Sequence, residues 1–113
     1  MPTCMDRVLA IPSTGVSTTD AAAISAAEHW SKKLGKGKTP LRPVQGIALQ
    51  TISERKCMLG MIGVGAGKTG ICLLAGTAAG AQRPLLLAPP ALINQMRSDL
   101  EWWQEHFNFI PPL

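Results

Sequence analysis

The apolar positions of this chain change their spacing several times between its ends. From Asp20 to Gly35 they fall at Ile24, Ala27, Trp30 and Leu34, inside an alanine-rich stretch that ends in lysines. That spacing predicts a helix capped by Thr19 or Asp20 and stopped at Gly35. A second stripe, Val44, Ile47, Ala48 and Ile52, follows Pro43, a residue suited to a first helical turn, with Gly46 as the one weak position. Two runs then lack polar positions altogether: "CMLGMI", Cys57 to Ile62, and "PLLLA", Pro84 to Ala88. Short unbroken apolar runs of this kind predict strands buried on both faces. Each leads into a helical pattern, the first from Lys68 to about Ala79 with Gly80 as its end. The second runs from Ala91 to Phe107, with Leu92, Met96, Leu100 and Trp103 on one face. The expected order is helix, helix, strand, helix, strand, helix. This is an α/β class with two parallel strands and flanking helices, over residues 20–113. Residues 1–19, rich in Pro, Ser and Thr, read as a flexible leader.

At 113 residues the chain has room for one domain. A net charge of +4 suits a polyanionic partner and is also ordinary for soluble proteins. Cys4, Cys57 and Cys72 are odd in number and form no C-x-x-C pair, which argues against a disulfide framework or a zinc site and for a reducing compartment. No apolar run approaches the ~20 residues of a membrane span, and the first residues lack a signal peptide's charge and apolar stretch. The expected location is the cytoplasm, a host's if the source is viral.

Candidate chemistry sits in glycine-rich turns. "GVGAGKT", Gly63 to Thr69, and "GKGKT", Gly35 to Thr39, both end in the Gly-Lys-Thr of a phosphate-binding loop. Such a loop needs a strand before it and a helix directly after, so that backbone N–H groups and the positive helix end converge on phosphate oxygens. The first has both neighbours. The second follows a lysine-rich helix end and meets Pro40, which pushes Thr39 away from helical geometry. The first also departs from the strict pattern, with Ile62 where a glycine is usual. The expected phosphate site is therefore Gly63, Gly65, Ala66, Gly67, Lys68, Thr69 and Gly70. Lys68 is the charge for the β- and γ-phosphates, and Thr69 supplies a hydroxyl for Mg2+. ATP and magnesium are the expected ligands.

Three blocks in order, "LRPVQ", "GVGAGKT" and "LLLAPPALINQ", resemble the start of the first RecA-like lobe of superfamily 2 helicases and translocases, of the DEAD/DEAH or Swi/Snf type and phage-like. The resemblance covers about half of the chain, Leu41 to Trp103. It implies that Gln45 reads the adenine edge. It also implies that Pro89, Pro90, Ala91 and Gln95 lie against nucleic acid, either DNA or RNA. A partial RecA-like P-loop lobe of an ATP-dependent helicase is the implied identity. The family's Asp-Glu strand, which holds metal and orients water, has no counterpart among Asp6, Asp20, Glu28, Glu54, Asp99, Glu101 and Glu105. The chain is accordingly expected to bind ATP-Mg without hydrolysing it, and to need the rest of the lobe or a second lobe. A P-loop kinase or other small NTPase, or a truncated non-enzymatic nucleotide binder, would use the same loop. The basic residues Lys32, Lys33, Lys36, Lys38 and Arg42 read mainly as a solvated helix end.

Overall fold

The structure, a computed structural model, describes residues 1, 3–11, 20–60, 62, 63, 65 and 67–108. Five α-helices account for most of it: α1 Cys4–Leu9, α2 Ala21–Leu34, α3 Pro43–Arg55, α4 Lys68–Ala79 and α5 Ile93–His106, the last preceded by a 3-10 turn over Pro90–Leu92. Helix α1 lies in the expected leader and buries none of its residues. It is held by a capping box in which Thr3 and Asp6 satisfy each other's first-turn groups. The Thr3 N–H and hydroxyl bonded to the Asp6 carboxylate keep its pKa below the ordinary value.

Helices α2 and α3 pair because both carry a continuous buried stripe. On α2 it is Ala23, Ala27, Trp30 and Leu34; Ile24, expected on that face, is 48% exposed. On α3 it is Gln45, Gly46, Ala48, Leu49 and Ile52. Gly46 is what lets the backbones approach. A Cβ built there would lie 2.3 Å from the Ala27 nitrogen and 2.4 Å from its Cα. Polar bonds fix the register: Trp30 Nε1 donates to Gln50 Oε1 at 3.0 Å, and the Leu41 N–H donates to Ser31 Oγ at 2.8 Å.

Helix α4 packs on the other side of α3 through Ile71, Leu74 and Ala78, joining the core of Trp30, Leu34, Leu49 and Ile52. Its stop is the one predicted: Gly80 sits at φ 73°, a left-handed cap that glycine adopts without strain. Lys56 ends α3 in the same region at φ 60°, and its Nζ donates to Ala79 O at the carbonyl end of α4. Helix α5 buries no residue of its own helical span. It is held by Trp103, whose ring covers Gly70 of α4, and by Phe107, which is wholly buried. At its end the Lys36 N–H donates to His106 O, and the Asn108 N–H to Leu34 O, forming an isolated antiparallel bridge between Gly35 and Phe107.

The α/β expectation fails here. Among the described residues there is no strand and no sheet, so the chain does not form a RecA-like lobe with two parallel strands. Cys57–Gly60 and Ile62 of the first run, and Pro84–Ala88 of the second, are irregular; Met61 lies outside the described residues. The physical reason is that strands exist only as partners. Two short runs with no further strands to bond do not make an independently stable sheet. Instead of being buried on both faces, Leu59 is 95% exposed and Leu85 and Leu87 are each 83% exposed. Residues 12–19 of the leader and 109–113 at the other end also lie outside the described residues.

Candidate phosphate-binding site

The loop before α4 is shaped by two glycines in left-handed backbone, Gly65 at φ 77° and Gly67 at φ 85°. Gly67 is the N-cap of α4, and having no side chain it offers the first amides of that helix no side-chain cap. Lys68 is the first helical residue and is exposed; Thr69 beside it is half-buried. An exposed ammonium and an uncapped helix start thus share one end of α4, which favours an anion there. Gly63 is exposed with open space around it, and Ala66 lies outside the described residues.

What holds the loop comes from α3. The Arg42 guanidinium donates to the carbonyl of Gly65, and Gln45 Nε2 donates to the carbonyl of Gly67 at 3.1 Å. Gln45 Oε1 in turn accepts the Arg42 N–H at 2.9 Å, the reach-back of a capping residue at the third helical position. Gln45 is only 5% exposed, and no buried side-chain N or O among the described residues lacks a partner. Because the peptide is planar and trans, a Gly67 carbonyl turned to α3 directs the Lys68 N–H the opposite way, out of the helix end. Arg42 and Gln45 therefore set which way the loop's donors face. A Cβ on Gly67 would sit 2.3 Å from Gln45 Nε2 and would push that amide off the loop, while the φ of 85° independently favours glycine here.

The structure brings two of the three sequence blocks together, "LRPVQ" and "GVGAGKT", through Arg42 and Gln45. In the sequence Arg42 stands within "LRPVQ" and in the basic run, with no role of its own in either. The signal that could have identified it was its position three residues before Gln45 at the start of the same helix. Gly70, expected among the phosphate contacts, is buried beneath Trp103, whose Cη2 would lie 2.2 Å from a Cβ there. The third block stands apart in character: Pro89, Pro90 and Ala91 are exposed at the start of the 3-10 turn, and exposed Gln95 donates its amide to Asp99 Oδ1 at 3.0 Å. The "GKGKT" echo leads into no helix; residues 36–42 are irregular, and the next helix begins at Pro43.

Both ends of the Gln45 amide are engaged within the protein, which gives a testable expectation. Gln45→Ala should weaken ATP and a pyrimidine triphosphate by the same factor, about 5- to 10-fold if one positioning hydrogen bond of ~1 kcal/mol is lost. Titration of both nucleotides into wild type and variant measures this. A loss confined to ATP would instead assign the amide to the adenine edge.

Among the described residues no group of three His, Cys, Asp or Glu side chains is placed to hold a metal ion, and no helix is long and apolar enough to cross a membrane. No protein-family model, curated protein or solved structure matches this chain.

Proposed function

We propose that the α4 end binds the phosphates of ATP-Mg, and that the chain serves as the nucleotide-binding part of a superfamily 2 helicase or translocase acting on DNA or RNA. The observation that carries the reading is the hydrogen bonding of Arg42 and Gln45 to the loop carbonyls of Gly65 and Gly67. It joins two blocks more than 20 residues apart in sequence, at an uncapped helix start beginning with Lys68 and Thr69. In this reading Lys68 neutralises the β- and γ-phosphates, and the outward amides of the helix end bind their oxygens. The Thr69 hydroxyl offers one ligand to the magnesium that arrives with the triphosphate. Pro89, Pro90, Ala91 and Gln95 are the proposed nucleic-acid contacts.

Hydrolysis asks for more than this end of α4 holds. A water must be oriented by a carboxylate and the metal held by a second group, and no acidic side chain is hydrogen-bonded to residues 62–70 among those described. The chain is therefore expected to bind without turning over, with the remaining groups supplied by a partner lobe. Calorimetric titration of ATP, ADP and AMP with magnesium, followed by a phosphate-release assay with Lys68→Ala as blank, tests this. Affinity should fall with each phosphate removed, and release should stay at the blank. Equal affinity for AMP and ATP would sink the phosphate site, and Lys68-dependent release would show a catalytic acid outside this account.

A further inference from the structure

We propose that the connection after α2 and the C-terminal end of α5 together bind single-stranded nucleic acid, the lysines taking its phosphates and Trp102 its bases. The two elements are fastened to each other. The Lys36 N–H donates to His106 O at 2.9 Å, the Asn108 N–H to Leu34 O at 2.7 Å, and Lys36 Nζ to Gln104 O at 2.7 Å. Lysines and aromatic rings 68 residues apart in sequence therefore share one corner of the molecule. This corner is a different place from Pro89, Pro90, Ala91 and Gln95, and it needs neither them nor the phosphate loop.

The four lysines of the basic run divide in this setting. Lys33 stands over the Trp30 ring, 4.9 Å from its centroid, and Lys36 is engaged with Gln104. Lys32 and Lys38 make no hydrogen bond or ion pair among the described residues, and both line a hollow of about 360 Å3 with Thr39. No carboxylate lines it; Glu101 and Glu105 of α5 are exposed outside it. The carbonyl end of α2 accounts for Lys32, which sits in its last turn. It does not account for Lys38, which lies beyond the helix. Two unpaired ammonium groups beside a hydroxyl suit the oxygens of a phosphodiester.

Trp102 is the reason to name nucleic acid and not any polyanion. Trp103 and Phe107 carry α5 onto the core, whereas Trp102 has no part in that cluster and is 44% exposed. Its ring is nonetheless fixed. His106 stacks on it with ring centroids 4.0 Å apart and planes 17° from parallel, and Trp103 meets it T-shaped at 5.2 Å. His106 Nδ1 donates to Trp102 O at 2.8 Å, which holds the imidazole in the stack. An exposed indole already held by its neighbours loses little freedom when a base stacks on it. Bases in a duplex are stacked and paired with each other, so such a platform selects the unpaired strand.

Fluorescence anisotropy of a labelled oligodeoxythymidine of about 12 nucleotides, from about 50 to about 200 mM salt and without ATP, tests the surface on the full chain. Wild type should bind this strand more tightly than the same strand paired in a duplex. Trp102→Ala should lose about 5-fold or more in affinity with its salt dependence unchanged, and Trp102→Phe should restore most of the loss. Lys32→Ala with Lys38→Ala should lower the slope of log affinity against log salt by about 1.4, two phosphates at about 0.7 each. Helical circular dichroism should be unchanged in all of these, because the three positions are exposed. With no ATP present, failure of the phosphate site leaves the result intact. Undiminished binding by Trp102→Ala would overturn the proposal, and a loss in Gln95→Ala alone would then place the strand at the start of α5. No binding by about 200 µM wild type, or equal affinity for strand and duplex, would overturn it as well.

Discussion

In a thermal-shift titration with ATP-Mg, Lys68→Ala is expected to show no nucleotide-dependent rise in melting temperature, while Lys38→Ala follows wild type. A ligand at 100 times its dissociation constant stabilises the state it binds by about 2.7 kcal/mol, which for a domain near this size is roughly 10 °C or more. The contrast rests on backbone setting, because both lysines belong to a Gly-Lys-Thr. Lys68 opens a twelve-residue helix whose first amides are uncapped, and the loop before it is fixed by Arg42 and Gln45. Lys38 lies in an irregular connection with no helix following Thr39, so its ammonium has no convergent amides to act with. Removing the Lys68 side chain leaves Gly65 and Gly67 in place and takes away the charge, so the variant should fold and fail to respond. Equal losses in the two variants would mean that residues 63–70 are not the phosphate site or that neither loop takes phosphate.

The helices and the candidate loop were legible in the sequence for a common reason: each is decided by residues close together along the chain. Asp20 and Gly35 bound α2, Pro43 opens α3 and Gly80 closes α4, where the spacing predicts, although Asp20 makes no side-chain cap bond and Gly35 is in extended backbone. The strands were not legible because an apolar run is compatible with a strand, a buried helix turn or a bare segment, and only partners decide among them. "CMLGMI" and "PLLLA" find none among the described residues. Helix faces are less legible than helix bounds. Spacing alone puts Ile24 on the core face of α2, but the contact with α3 is centred on Ala23 and Ala27, where small side chains allow close approach, and this rotates Ile24 outward. Resemblance points to Gln45, and its bond to the Arg42 N–H is a local capping contact; its bond to the Gly67 carbonyl depends on how α3 meets α4, which no local pattern encodes.

Gly46→Ala should lower the melting temperature even though alanine is the better helix former. Within α3 the substitution gains about 1 kcal/mol of intrinsic propensity. Against this, the new methyl would fall 2.3 Å from the Ala27 nitrogen, 2.4 Å from its Cα and 2.9 Å from the Ala26 carbonyl carbon, all of them backbone atoms inside a helix. Backbone within a packed helix cannot rotate aside as a side-chain end can, so α2 and α3 must separate along their whole contact. Overpacking of this kind costs about 1–3 kcal/mol and sometimes more, and the separation also loosens Leu49 and Trp30 in the core. Taking the upper part of that range, about 2–3 kcal/mol, for a clash with helix backbone, and subtracting the ~1 kcal/mol of propensity, the expected net loss is about 1–2 kcal/mol, or roughly 4–16 °C. Ala27→Gly should not rescue it, because the clash is with the main chain of residue 27 and not with its methyl group. Melting curves of the single and double variants decide this, and a Gly46→Ala chain as stable as wild type would mean that α2 and α3 do not cross at Gly46. The same change has a functional consequence: Gln45 and Arg42 reach the phosphate loop from the turn of α3 that α2 clamps at Gly46. ATP-Mg should therefore bind Gly46→Ala more weakly at temperatures where the variant is still folded.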